Sequence, residues 1–173
     1  MTQQQKTAVN APSMPRLRQP VRADGYAISQ LIESCPPLDV NSVYTYLLLA
    51  EHFSATSVVA EADGRIVGFI SAYRHPERSN VLFVWQVAVH ESARGMGLGK
   101  RMLQDLLTRP HLADVRYLET TVGPDNVASR RMFSGLAETR QADVQEEALF
   151  GAELFGPQAH DEERLIRIGP ITN

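Results

Sequence analysis

Residues 82–102 read LFVWQVAVHESARGMGLGKRM, and this stretch decides the fold that we expect. Its first part, 82–89, is almost continuously apolar and rich in β-branched and aromatic residues, which is typical of a central strand buried on both faces. A loop with three alternate glycines follows, and a helical run begins at Lys100. Glycines let the backbone approach a phosphate closely, and a helix start offers free N–H groups and a positive dipole end. The stretch therefore predicts a pyrophosphate site.

The spacing of the glycines separates three kinds of phosphate loop. Gly95, Gly97 and Gly99 form G-x-G-x-G, which fits neither the dinucleotide fingerprint G-x-G-x-x-G nor the P-loop. The pattern R-x-x-G-x-G, read as Arg94, Gly97 and Gly99, resembles the pyrophosphate loop of the GNAT family of acetyl-CoA-dependent N-acetyltransferases. A glycine-rich turn that only lets a strand and a helix pack together is the simpler alternative.

A second motif of the GNAT family lies at 126–133, which reads NVASRRMF. Many members carry Tyr where this chain has Phe133, and that Tyr protonates the leaving thiolate. Phe133 has no proton to donate, so water or another group must do so. Asn126 and Ser129 are expected to hydrogen-bond the pantetheine arm, with helix capping as the alternative role of Asn126.

The resemblance implies a set of acetyl-CoA-binding residues. A backbone N–H near Val87 in the central strand would bind the oxyanion that forms when the thioester is attacked. The expected cofactor-binding residues are Val87, Val89, Arg94, Gly95, Gly97, Gly99, Lys100, Asn126 and Ser129.

Length and composition bound the class of protein. The chain has 173 residues, enough for one domain, and its 43% hydrophobic and 21% charged residues are ordinary for a globular protein. A net charge of −3 gives no basic field for nucleic acid or an anionic membrane. The single cysteine, Cys35, suits a reducing compartment, and the sequence shows neither a leader nor an 18-residue apolar run. We therefore expect a cytoplasmic protein without a metal cofactor.

Periodicity and breaker residues predict one α/β (α+β) domain over 15–173 after a disordered polar tail at 1–14. Pro36 and Pro37 end the first helix, and Asp63-Gly64 predicts a β-hairpin. The strand at 115–122 should pair in parallel with 82–89. The predicted strands are 15–20, 56–61, 65–73, 82–89, 115–122 and 164–168, and the predicted helices are 24–34, 43–52, 100–109 and 126–136. This order matches the GNAT fold, a central mixed sheet flanked by helices, with acetyl-CoA at the splayed strand after the glycine loop.

Motifs outside the shared core narrow the resemblance. Three motifs are similar to those of the L-2,4-diaminobutyrate acetyltransferases of ectoine biosynthesis: CPPLDxNSxYxYLLL at 35–49, FxxTSxVAE at 53–61 and FVWQVAV at 83–89. The similarity runs over about residues 18–168. The resemblance implies transfer of acetyl from acetyl-CoA to the 4-amino (γ) group of L-2,4-diaminobutyrate. It also implies a homodimer and a role in osmotic stress.

Such a substrate carries two ammonium groups and one carboxylate, so its pocket should contain a carboxylate. Asp39, which follows a rigid Pro-Pro turn, is the first candidate for holding an ammonium, with N-capping as the competing role. Trp85, the only tryptophan, is expected to pack on the alkyl chain and contact the cation. Tyr44 and Tyr46 face different sides of one helix, and we assign Tyr44 to the site.

The sequence does not identify the general base, since no carboxylate interrupts 81–89, where many relatives carry one. Glu61 ends a strand and is a candidate base, acting directly or through water, with a solvated strand end as the alternative. Glu153 and His160 lie in an irregular C-terminal segment expected to close over the substrate. The predicted catalytic residues are Asp39, Glu61 and Trp85, and the predicted substrate-binding residues are Asp39, Tyr44, Trp85, Glu153 and His160.

Two other functions fit the same scaffold. One is another small-molecule or protein N-acetyltransferase, against which the 35–61 motifs argue. The other is a non-catalytic acyl-CoA-binding sensor, which only Phe133 suggests.

Overall fold

The computed structural model describes residues 14–157 and 160–172, so most of the tail expected at 1–14 lies outside the described residues. The described chain forms one seven-stranded sheet, in the order β1-β2-β3-β4-β5-β7-β6, with four α-helices. The strands are β1 (Arg16–Arg18), β2 (Val58–Ala62), β3 (Arg65–His75), β4 (Arg78–Val89), β5 (Tyr117–Val122), β6 (Val144–Phe150) and β7 (Glu163–Ile168). The helices are α1 (Gly25–Glu33), α2 (Val43–His52), α3 (Leu98–Leu107) and α4 (Val127–Arg140).

The pairing of β4 with β5 positions the site. All other neighbouring strands run antiparallel, whereas β4 and β5 run parallel, as predicted. Their register begins at Val81 opposite Tyr117 and ends at Val84 opposite Thr120. Both strands continue beyond this point, but they are no longer paired with each other. The resulting opening, between 85–89 of β4 and 121–122 of β5, is called the β4–β5 gap below.

Successive side chains along a strand pack into two different hydrophobic cores, one on each face of the sheet, as the two-residue period of a strand requires. Val58 and Ala60 of β2 join the core under α3 and α4, while Val59 between them joins the core under α1 and α2. The larger core contains Met102, Leu103 and Leu106 of α3, and the smaller contains Ile28, Leu31 and Ile32 of α1 with Tyr46 of α2. The sheet is therefore covered on both faces, but unequally.

A buried carboxylate ties three strands together next to the gap. Glu119 of β5 is 1% exposed and accepts two hydrogen bonds from Arg78 of β4, at 2.6 and 2.8 Å, and one of 3.0 Å from Arg167 of β7. A buried charge needs such partners, because its desolvation is costly. Arg167 also lies over the ring of Tyr117, with 4.1 Å from the guanidinium carbon to the ring centroid. These contacts fix β4, β5 and β7 in register up to the point where β4 and β5 separate.

The predicted elements are present, with several corrected boundaries. β4 begins at Arg78 rather than 82, so the loop expected at 75–80 shrinks to a tight turn. It is central but not buried on both faces throughout, because Trp85 beside the gap is 43% exposed. α4 continues to Arg140, past the expected end at 136, and stops where Gln141 adopts a left-handed φ of 50°. In the described residues no helix is both long and apolar enough to cross a bilayer.

Strand β6 is absent from the sequence prediction. All seven of its residues, VQEEALF, are exposed, so no apolar alternation marks them as a strand. Its pairing with β7 and the ion pairs of Glu146 hold it in place, since Glu146 accepts hydrogen bonds from Arg130 and Arg164. The two guanidiniums lower the pKa of Glu146 to about 2. The strand is thus defined by its partners rather than by its own pattern.

Candidate active site

Backbone groups of β4 point into the β4–β5 gap. The N–H of His90 donates to the carbonyl of Val67 on β3 at 2.9 Å, and antiparallel pairs alternate between bonded and non-bonded. Ala88 is therefore bonded to β3 as well, whereas Val87 and Val89 direct their N–H groups toward the opposite edge, where β5 has moved away. These free donors are suited to bind a thioester oxygen and an amide-containing arm, the role expected for Val87 and Val89.

A β-bulge lies at the start of the gap. Ser71 of β3 pairs with Gln86, but the next residue, Ala72, pairs with Val84, so Trp85 is the extra residue on β4. A bulge bends the strand and changes the direction of its side chains, and such features are common beside active sites. Trp85 is thus placed at the point where β4 leaves β5.

The glycine loop has the geometry of an anion cradle. Gly95 and Gly97 adopt φ values of 77° and 67°, which side-chain-bearing residues rarely adopt. Gly97 is the N-cap of α3, and no side chain caps that helix. The N–H groups of Gly95, Gly97 and Gly99 have no acceptor among the described residues, so they are available to an anion.

The residues around the loop fit the same ligand. A Cβ on Gly99 would approach Sδ of Met132 on α4 to 2.5 Å, so glycine lets α3 and α4 pack closely below the loop without displacing this side chain. Arg94 is exposed and donates from Nε to the carbonyl of Val89, which joins the loop to the end of β4. Lys100 in the first turn of α3 adds a second cation. The cradle, its two cations and the neighbouring gap fit a pyrophosphate followed by a thioester arm.

The start of α4 faces the loop across the gap. Asn126 caps α4, since its Oδ1 accepts from the N–H of Ser129 at 3.1 Å, so the capping role considered for Asn126 is confirmed. Its side-chain N–H₂ and the Ser129 hydroxyl remain without partners among the described residues. Phe133 is 2% exposed within the larger core. It therefore contributes packing and no proton.

The loop between α1 and α2 meets the connection between β6 and β7 at Asp39. The carboxylate of Asp39 is 83% exposed and its Oδ2 lies 3.8 Å from Nε2 of His160. Its backbone carbonyl accepts a 2.9 Å hydrogen bond from Nε2 of Gln86 on β4. The competing role of Asp39 as an N-cap is wrong, because Ser42 caps α2 with its side chain. Asp39 is therefore an anchored but open carboxylate next to β4.

His160 is held in a polar and aromatic setting. Its Nδ1 donates to the carbonyl of Asp161 at 2.6 Å, and its ring stacks on Phe155 with centroids 3.8 Å apart. The bond to Asp161 raises the pKa of His160 above 6.5, burial opposes this more weakly, and the charges of Asp39 and Glu163 add to the rise. The pair brings the two loops together, and closure of this segment over a substrate stays a prediction.

The two tyrosines of α2 are separated as expected from their spacing. Tyr46 is fully buried and its hydroxyl accepts from the N–H of Asn41, whereas Tyr44 is 67% exposed. Glu153, in a short 3₁₀-helix of the β6–β7 connection, is exposed and folds back over Gly151. Both Tyr44 and Glu153 are free to contact a ligand.

Glu61 lies apart from Asp39, His160 and Trp85. It is on β2, where its carboxylate accepts from Nε of Arg18 at 2.9 Å, and Arg18 also binds Asp24. The groove of about 590 Å³ that contains Glu61 is lined by α1, the β2–β3 hairpin and His90, and neither Asp39 nor Trp85 lines it. The structure thus brings Asp39 and His160 together but leaves Glu61 ion-paired outside that group.

Gln86 is the residue of this region that the sequence prediction left unassigned. It is 5% exposed, follows Trp85 directly and holds the loop that carries Asp39. The available signal was chemical, since Gln86 is the single polar residue inside the apolar run 81–89. Among the described residues no three His, Cys, Asp or Glu side chains cluster as they do around a metal ion.

Known proteins resemble this chain in both fold and sequence. Residues 25–136 match the model of the acetyltransferase (GNAT) family. L-2,4-diaminobutyric acid acetyltransferase of Bordetella parapertussis is 59% identical over 158 residues, which are 91% of this chain and 85% of the relative. The enzyme of that name from Halomonas elongata is 47% identical over 90% of this chain and 81% of its own length.

A solved structure extends the agreement to three dimensions. Diaminobutyrate acetyltransferase EctA from Paenibacillus lautus, in complex with its substrate L-2,4-diaminobutyric acid and coenzyme A, superposes with a TM-score of 0.90. It is 43% identical, and the match covers 94% of this chain and 98% of that one. The chain therefore belongs to the GNAT acetyltransferase family, in its branch of L-2,4-diaminobutyric acid acetyltransferases.

Proposed function

We propose that this chain transfers the acetyl group of acetyl-CoA to the 4-amino group of L-2,4-diaminobutyrate, giving N4-acetyl-L-2,4-diaminobutyrate and CoA. The observation that carries the proposal is an exposed carboxylate, Asp39, anchored through its backbone to β4 beside the free donors of the β4–β5 gap. A carboxylate there is suited to an amine-rich substrate, and a gap with N–H donors is suited to a thioester. The identity to diaminobutyrate acetyltransferases supports the same substrate.

In this proposal, the residues divide into two groups. The glycine loop with Arg94 and Lys100 binds the pyrophosphate of acetyl-CoA, and the N–H groups of Val87 and Val89 bind its acyl end. The side-chain N–H₂ of Asn126 and the hydroxyl of Ser129 bind the arm between them. On the amine side, Asp39 holds an ammonium while Tyr44, Trp85, Glu153 and His160 line the pocket.

The reaction needs an uncharged amine as the nucleophile and a proton donor for the CoA thiolate that leaves. The 4-ammonium loses one proton, and the lone pair of the resulting amine attacks the thioester carbonyl. The carbon–sulfur bond then breaks, and the nitrogen releases a second proton as the amide forms. The CoA thiolate takes up a proton from water, since Phe133 has none to give. Glu61 stays a candidate for relaying the amine's proton through water, and its ion pair with Arg18 would have to adjust for this role.

The test is release of free thiol from acetyl-CoA in three reactions, with L-2,4-diaminobutyrate, with a peptide bearing a free amine, and with no acceptor. We expect rapid release only with diaminobutyrate. Release with the peptide alone would favour a protein N-acetyltransferase. Binding of acetyl-CoA without turnover in any reaction would favour a sensor.

We further propose a cytoplasmic homodimer that acts in the osmotic stress response. The unpaired Cys35 supports a reducing compartment. The fully exposed edge strand β6, with the apolar Val144, Leu149 and Phe150, supports association through this edge. The osmotic role follows from the proposed product alone.

A further inference from the structure

Gln86 has a side-chain oxygen that the fold leaves without a donor. Its Oε1 is buried and has no hydrogen-bond partner among the described residues. The orientation of the amide is fixed by chemistry, because the carbonyl of Asp39 only accepts and must receive the N–H₂ group. The free atom is therefore the oxygen, which can only accept. A buried acceptor without a donor is unfavourable and is normally satisfied by water or a ligand.

The position of Gln86 connects both halves of the proposed reaction. Its chain neighbours are Trp85, the bulged residue, and Val87, whose N–H points into the β4–β5 gap. Its backbone N–H donates to Ser71 Oγ at 3.2 Å, and its side chain holds Asp39. The unsatisfied oxygen thus belongs to a side chain that is bonded to the residue that we assign to the substrate ammonium and is carried by the strand that we assign to the thioester.

The chemistry of the nucleophile favours a neutral acceptor at this place. The attacking amine must be uncharged, and a carboxylate in contact with it would raise its pKa and keep it protonated. An amide oxygen accepts a hydrogen bond from a neutral amine without this penalty and leaves the lone pair free. Asp39 is then suited to the second ammonium of the substrate, which keeps its charge throughout.

We propose that Gln86 Oε1 accepts a hydrogen bond from the 4-amine of the substrate and orients it toward the thioester, while Gln86 Nε2 fixes the loop that carries Asp39. This inference rests on the proposed function, since it requires a diamine acceptor. It makes Gln86 a substrate-contacting residue with two separable tasks, one per atom of its amide.

The first test compares Gln86→Met with wild type. Methionine has a similar size but no donor and only a weak acceptor, so the hydrogen bond that orients the amine is lost. We expect kcat with diaminobutyrate to fall about tenfold or more, because a hydrogen bond that acts in the reacting complex is removed. The KM for acetyl-CoA should stay unchanged. A rise of KM for diaminobutyrate with unchanged kcat would contradict the proposal, because it would leave Gln86 as a loop anchor only.

The second test uses Gln86→Glu, which keeps an acceptor but carries a charge. The titratable residues next to Gln86 are Asp39, whose backbone carbonyl Gln86 bonds, and His160 beside the Asp39 carboxylate, and the neighbour on β3 is the uncharged Ser71. We expect the kcat profile of this variant to shift to higher pH, because the carboxylate stabilises the protonated amine. A profile that coincides with wild type, or one in which Gln86→Met has normal kcat, would show that the oxygen holds only a buried water.

Two controls separate this outcome from misfolding and from a wrong function. Ser57→Ala removes another buried polar group that has no partner among the described residues, on the far side of β3, and should leave kcat unchanged. Quenching of Trp85, the only tryptophan, reports substrate binding by each folded variant independently of turnover. If the wild-type chain does not acetylate diaminobutyrate, the proposed function has failed. If wild type is active and Gln86→Met keeps its kcat, only the inference about Gln86 has failed.

Discussion

Asp39 and Asn126 have similar side chains, and the sequence allows each of them to cap a helix or to bind a ligand. Asn126 directly precedes α4 and Asp39 lies about one turn before α2, where Asp and Asn are good caps. In the structure Asn126 is the cap of α4, whereas Ser42 caps α2 and leaves the Asp39 carboxylate open. The difference depends on the residue at which each helix begins, a boundary that local pattern does not fix to within one turn.

The open carboxylate of Asp39 leads to a prediction about substrate use. Asp39→Asn removes a charged contact to the substrate, so kcat/KM for diaminobutyrate should fall by about 1.5–3 kcal/mol of transition-state binding. Steady-state kinetics checks this. Ser42→Ala is the matched control, since losing the cap should cost about 1 kcal/mol of folding stability and leave kcat/KM nearly intact. Equal kinetics for Asp39→Asn and wild type would remove Asp39 from the site.

The raised pKa of His160 predicts a pH dependence of substrate binding. The protonated ring attracts Asp39 fully below pH 6.5, and this attraction is lost as pH rises through the raised pKa. Substrate ammonium then replaces the imidazolium at Asp39, so the Kd for diaminobutyrate should fall as pH rises. Titrations that follow Trp85 fluorescence between about pH 5.5 and 8.5 measure this trend. His160→Asn should abolish it, and an unchanged trend in that variant would exclude His160 as its source.

At the scale of elements, the glycine loop between β4 and α3 is the feature that the sequence predicted best. Gly95 and Gly97 adopt the left-handed backbone that such a loop needs, because this freedom is a property of glycine itself, and pyrophosphate binding stays a prediction. β6 and the bulge at Trp85 depend on partners distant in sequence, namely β7 and β3. Gln86 was missed for the same reason, since its role comes from contacts with Asp39 across the fold.

The loop gives a prediction with an internal control. Gly97 and Gly64 have similar φ values, 67° and 73°, and open space around an added Cβ. Gly97→Ala and Gly64→Ala should therefore each lose about 1 kcal/mol of stability from backbone strain. Only Gly97→Ala should raise KM for acetyl-CoA, because only its loop is proposed to bind the pyrophosphate. Thermal unfolding and acetyl-CoA titration measure the two effects. The same KM in both variants would contradict the assignment of the loop.

At the scale of the whole molecule, the proposed function assigns the two substrates to the two faces of the sheet. The larger core under α3 and α4 supports the glycine loop, and the smaller core under α1 and α2 supports the loop with Asp39. The β4–β5 gap connects the two faces. The sequence predicted this architecture through its element order, but the depth of the gap depends on where pairing stops, at Val84 and Thr120.

The exposed β6 edge predicts the assembly of the molecule. Light scattering of the wild-type chain should give twice the mass of one chain. Leu149→Lys should shift the equilibrium to monomer, because a charge on the apolar edge opposes edge-to-edge contact. Val21→Lys, at an exposed apolar residue outside β6, should leave the dimer intact. A monomeric wild type would contradict the proposed homodimer but would not contradict the proposed reaction.

The central claim, acetyl transfer to one amine of one short diamine, is tested most directly by identifying the product. The chain is incubated with acetyl-CoA and equimolar L-2,4-diaminobutyrate, L-ornithine and L-lysine, and the acetylated amino acids are assigned by NMR. We predict N4-acetyl-L-2,4-diaminobutyrate as the dominant product, because the proposed contact of Asp39 with the second ammonium would place only the 4-amine of this short diamine at the gap. Comparable acetylation of the longer diamines, or acetylation at the 2-amino group, would contradict the account.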